Sequence, residues 1–129
     1  MGSPDARSFE GSWRLLPEQS VFEQGGAPES GTYRIAAMPG GLAFNLDFID
    51  FRGVDRHLEF RLLWDSDTPA SLELVDERTL NTSIERDEVV VSHATRVLSE
   101  DGTRMEIVER GFTPDGKPFV NRAAYRRES

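Results

Sequence analysis

Residues 42–49 read Leu42-Ala43-Phe44-Asn45-Leu46-Asp47-Phe48-Ile49, and residues 58–64 read Leu58-Glu59-Phe60-Arg61-Leu62-Leu63-Trp64. In each run large apolar side chains return at every second position. Successive side chains of an extended strand point to opposite faces, so a period of two describes a strand with one buried face and one wet face. A helix would return apolar residues at every third and fourth position, and no long window of the chain sustains that pattern. The chain therefore reads as all-β, with Phe44, Phe48, Phe60 and Trp64 facing its interior.

The same alternation predicts further strands at about residues 11–16, 31–38, 71–75, 79–85, 89–98, 103–112 and 118–127, roughly eight to ten in all. Pro39-Gly40-Gly41, Asp65 to Pro69, Asp76-Glu77-Arg78 and Asp87-Glu88 are short, turn-forming connections. Strands adjacent in sequence are thus expected to pair. The one long connection runs from Pro17 to Ser30, with a short helix expected at residues 17–24. Residues 1–8 read as a flexible N-terminal segment, and residues 9–129 as one domain. Many short strands in a small chain imply a single antiparallel up-and-down β-barrel, because closure removes the exposed edges that would otherwise aggregate.

The chain has 129 residues, 15 Lys and Arg against 23 Asp and Glu, and no Cys. The formal net charge of −8 argues against nucleic acid, whose phosphates call for a basic stripe. The absence of Cys excludes disulfides, thiol catalysis and Cys-based metal sites, and suits a reducing compartment, so a cytoplasmic location is expected. No apolar run approaches the ~20 residues of a membrane span. There is no Gly-rich phosphate loop, nucleophile elbow or dinucleotide fingerprint. No metal and no cofactor are expected.

Phe9-Glu10-Gly11-Ser12-Trp13-Arg14-Leu15 resembles the opening of the calycin group, the lipocalins and fatty-acid-binding proteins, whose first strand carries Gly-x-Trp. Asn121-Arg122-Ala123-Ala124-Tyr125-Arg126-Arg127 resembles the Arg- and Tyr-bearing last strand of fatty-acid-binding proteins, at a spacing that departs from their Arg-x-Tyr. Taken whole, the chain most resembles small bacterial lipocalin-like domains of unassigned activity. The resemblance implies one up-and-down barrel, with Trp13 plugging its closed end under an Arg of the last strand. Alternation favours Arg127 over Arg126 for that role.

Two turns share one grammar, Ser99-Glu100-Asp101-Gly102-Thr103 and Thr113-Pro114-Asp115-Gly116-Lys117. Each suits a three-residue hairpin loop with Gly in the left-handed region. If Ser99 faces Thr103, then Val97 pairs with Met105, Thr95 with Ile107 and His93 with Glu109. If Thr113 faces Lys117, then Met105 pairs with Tyr125, Ile107 with Ala123 and Glu109 with Asn121. This places His93, Glu109 and Asn121 in one inward row, and sends Arg96, Ser92, Glu106 and Arg110 to solvent. His57 falls on the outward parity of its strand.

An imidazole, a carboxylate and an amide inside an apolar barrel suit the polar end of a ligand whose body lies on aromatic residues. The expected function is binding of a small apolar or amphipathic molecule by His93, Glu109, Asn121, Tyr33, Tyr125, Phe44, Phe60 and Trp64. The alternative is a cofactor-independent isomerase, cyclase or dehydratase with His93 and Glu109 as acid and base, since a desolvated carboxylate beside an imidazole shares its proton.

Overall fold

The computed structural model describes residues 6–23, 26–64, 70–86, 89–113 and 115–128. Ten strands are present: β1 (Gly11–Leu15), β2 (Val21–Phe22), β3 (Ser30–Met38), β4 (Gly41–Ile49), β5 (Asp55–Trp64), β6 (Ala70–Asp76), β7 (Thr79–Arg86), β8 (Val89–Leu98), β9 (Arg104–Phe112) and β10 (Pro118–Arg127). Each strand expected from alternation is there, and only β2 is additional. From β3 to β10 the strands follow one another in the sheet, and β1 closes it by pairing with both β3 and β10. The Asp65–Pro69 and Asp87-Glu88 connections lie outside the described residues.

The pairing departs from a purely antiparallel meander at one seam. Strands β5 and β6 meet in a brief parallel contact, Leu63 with Ser71 and Trp64 with Leu72. A parallel pair cannot be a tight hairpin, so β5 and β6 are not the hairpin that their short connection suggested.

The helix expected at residues 17–24 is replaced by one 3₁₀ turn, Pro17–Gln19, followed by β2. The edge of β10 beyond the end of β1 is what captures this segment. Val21 pairs with Arg122 and Phe22 with Asn121, and the Ser20 hydroxyl accepts from the Ala124 N–H. Val and Phe are strand formers, and a single turn leaves too few internal hydrogen bonds to compete.

At one end of the barrel, Trp13 is fully buried and its indole N–H donates to the Phe9 carbonyl at 3.0 Å. The Arg127 guanidinium lies 4.2 Å from the Trp13 ring and donates to the carbonyls of Ser8, Glu10 and Gly102. Alternation thus selected the right arginine. A 3₁₀ turn, Arg7–Phe9, covers this end, and Ala6 is buried with it, so the packed part of the chain reaches back into the segment read as flexible.

Gly41 sits where β4 begins, close against β5. A Cβ there would lie 1.9 Å from the Leu62 carbonyl oxygen, a backbone atom with no freedom to rotate away. Gly41→Ala is expected to destabilise by about 1–3 kcal/mol or more. A urea midpoint equal to wild type would show that β5 yields without cost.

The two C-terminal hairpins differ, and the difference sets the interior. In β9–β10, Thr113 does face Lys117, so Glu109 pairs with Asn121, Ile107 with Ala123 and Met105 with Tyr125, as expected. In β8–β9 the Ser99 N–H bonds the Arg104 carbonyl instead, and the partners are Leu98 with Met105, Arg96 with Ile107, Ala94 with Glu109 and His93 with Arg110. The loop is one residue longer because Thr103 belongs to the turn. Its N–H and hydroxyl both donate to the Asp101 carboxylate, and its carbonyl is taken by the Arg127 N–H of β10. The other side of β8 matches this shift, since a bulge opposite Ile84 and Glu85 absorbs one extra residue.

Hydroxyl donation from Ser99 and Thr103 holds the Asp101 carboxyl down to about 2, against 3.8 ordinarily. A folded value below the unfolded one stabilises fully above about pH 4, and that contribution is lost as pH falls through about 2. Asp101→Ala is expected to lower the melting temperature at pH 6, by an amount that shrinks as pH drops from 4 to 2. A pH-independent difference in melting temperature would separate the turn from the charge.

Candidate functional site

The one-residue shift inverts β8. Ala94, Arg96 and Leu98 are buried, while His93 turns to the outer face with its Nδ1 3.0 Å from the Ser83 hydroxyl. The row expected to unite His93 with Glu109 is therefore not formed. Ser92 and Arg96, expected on the solvent face, belong to the interior.

Trp13 fills the closed end, and the opposite half of the barrel holds a cavity of about 280 Å³. Its walls are largely apolar, with Leu46, Leu58, Phe60, Ile107 and Ala123 among them. Phe22 and Pro28, which flank the undescribed residues 24–25, also line it. This strap is tied to β10 by Asn121, whose Oδ1 accepts from the Glu23 N–H at 3.0 Å, and by the Glu23 carboxylate, which accepts from the Val120 N–H. Farther along, the Glu29 N–H donates to the Ile49 carbonyl, and Gly26 packs against Phe51 so closely that a Cβ would collide with it.

Two charged groups interrupt the apolar lining. Arg96 is 4% exposed, donates to the Tyr33 hydroxyl at 2.8 Å and the Thr82 hydroxyl at 2.9 Å, and lies 5.1 Å from the Phe44 ring. Its Nε has no hydrogen-bond partner, and among the described residues no carboxylate pairs with it. A buried guanidinium is costly unless paired. Among the described residues, neutral hydroxyls and the Phe44 and Tyr33 rings are its compensation. Glu109, half-buried, accepts from the Ser92 hydroxyl at 3.2 Å and the Asn121 amide at 3.3 Å. Tyr125 contributes a phenol whose ionisation is pushed up by burial first and then by the nearby Tyr33.

A wider groove of about 590 Å³ runs along the outer wall beside Arg14, Asp47 and His57. Its charges are exposed and several are already paired: His57 bonds Asp47 at 2.6 Å, Arg56 bonds Asp50 at 3.0 Å and Arg14 bonds Glu128 at 3.1 Å. The Asp47 carboxylate raises the His57 pKa, chiefly through that hydrogen bond. His57 is exposed, as its parity indicated. The cavity inside the barrel, where the Arg96 Nε has no hydrogen-bond partner among the described residues, is the better candidate.

No protein-family model and no curated protein sequence matches the chain. Among solved structures, the siderocalin Ex-FABP, described as functioning through dual ligand specificities, superposes with a TM-score of 0.58 at 13% identity, over 94% of this chain and 74% of that one. A fluorescence-activating β-barrel designed de novo aligns with a TM-score of 0.48 at 16% identity, over 95% of this chain and 96% of that one. The fold is a lipocalin-like β-barrel.

Within this lipocalin-like barrel, Glu109, Asn121, Tyr33, Tyr125 and Phe60 face inward, as their alternation indicated, and line the cavity. Phe44 and Trp64 face inward without lining it: Phe44 stacks on Phe60 at 4.8 Å, and Trp64 packs against the core. Position along the barrel axis separates these two groups, and alternation carries no information about it. Arg96 was missed altogether. One local signal pointed to it: Leu80 and Ile84 share a parity on β7, and Leu80 pairs with Arg96. The bulge hid that signal.

Proposed function

We propose that the protein binds one small, largely apolar molecule in the open half of the barrel, with the molecule's acceptor group on Arg96. The observation that carries this reading is a buried guanidinium with an unpartnered Nε at the wall of an apolar cavity. A ligand acceptor beside the guanidinium adds a partner to a charge that no carboxylate among the described residues pairs, and in a site shielded from water such a charge-assisted bond is strong. The volume, about 280 Å³, holds roughly ten non-hydrogen atoms at the ~30 Å³ of a liquid water. The dual ligand specificities attributed to Ex-FABP accord with ligand binding on this fold. A chain without Cys suits the cytoplasm. The acid–base alternative loses its support because His93 lies outside the barrel.

Native mass spectrometry of protein purified from its own host, with calorimetric titration by octanoate, octylamine and octanol, tests the reading. A retained small molecule, or saturable binding of octanoate with one site and a negative heat-capacity change, is expected. No co-purifying molecule and no saturable binding of any of the three would overturn it.

A further inference from the structure

Arg96 and Glu109 border one cavity but do not pair with each other. Ile107 lies opposite Arg96 and Ala94 opposite Glu109, so the two charged residues are diagonal neighbours across β8–β9. Diagonal positions lie about 7–8 Å apart, close enough for long side chains to meet. Each is drawn away from the other by neutral partners. Arg96 is held toward β7 and β3 by Thr82 and Tyr33, and Glu109 toward Ser92 and Asn121. The opposite charges thus stand apart with cavity space beside both.

The hydrogen-bonding chemistry of this pair is one-directional. A guanidinium only donates, and a carboxylate only accepts. A group that satisfies both must itself accept at one atom and donate at another.

We propose that the cavity selects a dipolar head group, an anionic acceptor for Arg96 and a cationic or hydroxyl donor for Glu109 on neighbouring atoms, as in 2-amino or 2-hydroxy acids with an apolar side chain. This rests on the binding reading above and narrows its ligand class. The apolar side chain occupies the space beside Leu46, Leu58 and Phe60. A simple carboxylic acid satisfies Arg96 and leaves the negative charge of Glu109 facing its own. A simple amine does the reverse.

The test compares octanoate, octylamine and 2-aminooctanoate by calorimetry on wild type, Glu109→Gln and Glu106→Gln. Glu106 is exposed on the outer wall, where it lies 3.7 Å from Arg122. Wild type is expected to bind 2-aminooctanoate about ten- to a hundredfold more tightly than octanoate. In Glu109→Gln that preference should collapse to near unity while octanoate binds as well as before or better, which also reports an intact cavity. Glu106→Gln should keep the wild-type preference. Equal affinities in wild type, or a preference that survives Glu109→Gln, would overturn the dipolar head while leaving the binding of apolar molecules standing. No saturable binding by any of the three would overturn both.

Discussion

Trp13→Ala is expected to destabilise the protein by about 3–5 kcal/mol, the usual cost of truncating a large buried aromatic. Trp13 is fully buried, and more than its volume would be lost. The Phe9 carbonyl, which accepts from the indole N–H, would lose its donor in a buried setting. Arg127, now 4.2 Å from the ring, would keep its bonds to Ser8, Glu10 and Gly102 but lose the aromatic face, a contact of about 0.5–2 kcal/mol. The gap would open where β1 meets β3 and β10, the seam that closes the barrel. Urea denaturation measures the effect. A loss under 1 kcal/mol would mean that the covering turn and Arg127 close this end without the indole.

Arg96→Met should separate binding from stability. Met keeps much of the length of the stem and removes the charge, so the variant no longer holds a guanidinium out of water without a carboxylate. Replacing buried charged groups by apolar residues of similar volume is often neutral or stabilising. The Tyr33 and Thr82 hydroxyls lose a donor, which offsets part of that relief. Stability is therefore expected to stay within about 1 kcal/mol of wild type, or to rise. Octanoate affinity should fall about ten- to a hundredfold, as befits one charge-assisted bond in a shielded site. A variant that loses several kcal/mol of stability and binds octanoate as before would make Arg96 a structural residue.

The outcome at β8 shows how much rests on a single turn. Asp101 and Gly102 of the β8–β9 loop correspond to Asp115 and Gly116 of the β9–β10 loop, and both glycines have positive φ, 73° and 85°. The turns nevertheless set different registers. In the second, Thr113 bonds Lys117 as a three-residue loop requires. In the first, Thr103 is drawn into the loop by Asp101 and by the backbone of Arg127 on β10, more than twenty residues away in sequence. That last contact extends the β9–β10 ladder one step beyond Arg104 and Arg126, so it exists only once β10 has paired with β9.

The resemblance implied that Trp13 lies under an Arg of the last strand. Alternation along the chain by itself determined that this protein is all-β, where its main strands run, that Arg127 rather than Arg126 is the inward arginine, and that Glu109, Asn121, Tyr33 and Tyr125 face inward. These properties follow from a side-chain period of two and from a turn whose partners all lie within it. Tertiary structure alone decided which face of β8 is inside, and hence that Arg96 rather than His93 shares the cavity with Glu109. The physical reason is that a strand's two faces differ by a shift of one residue. Along β8 both faces carry apolar side chains, so burial energy discriminates weakly between them. A bulge against β7 and a carboxylate-held turn against β9, the turn completed by the Arg127 backbone of β10, make the choice.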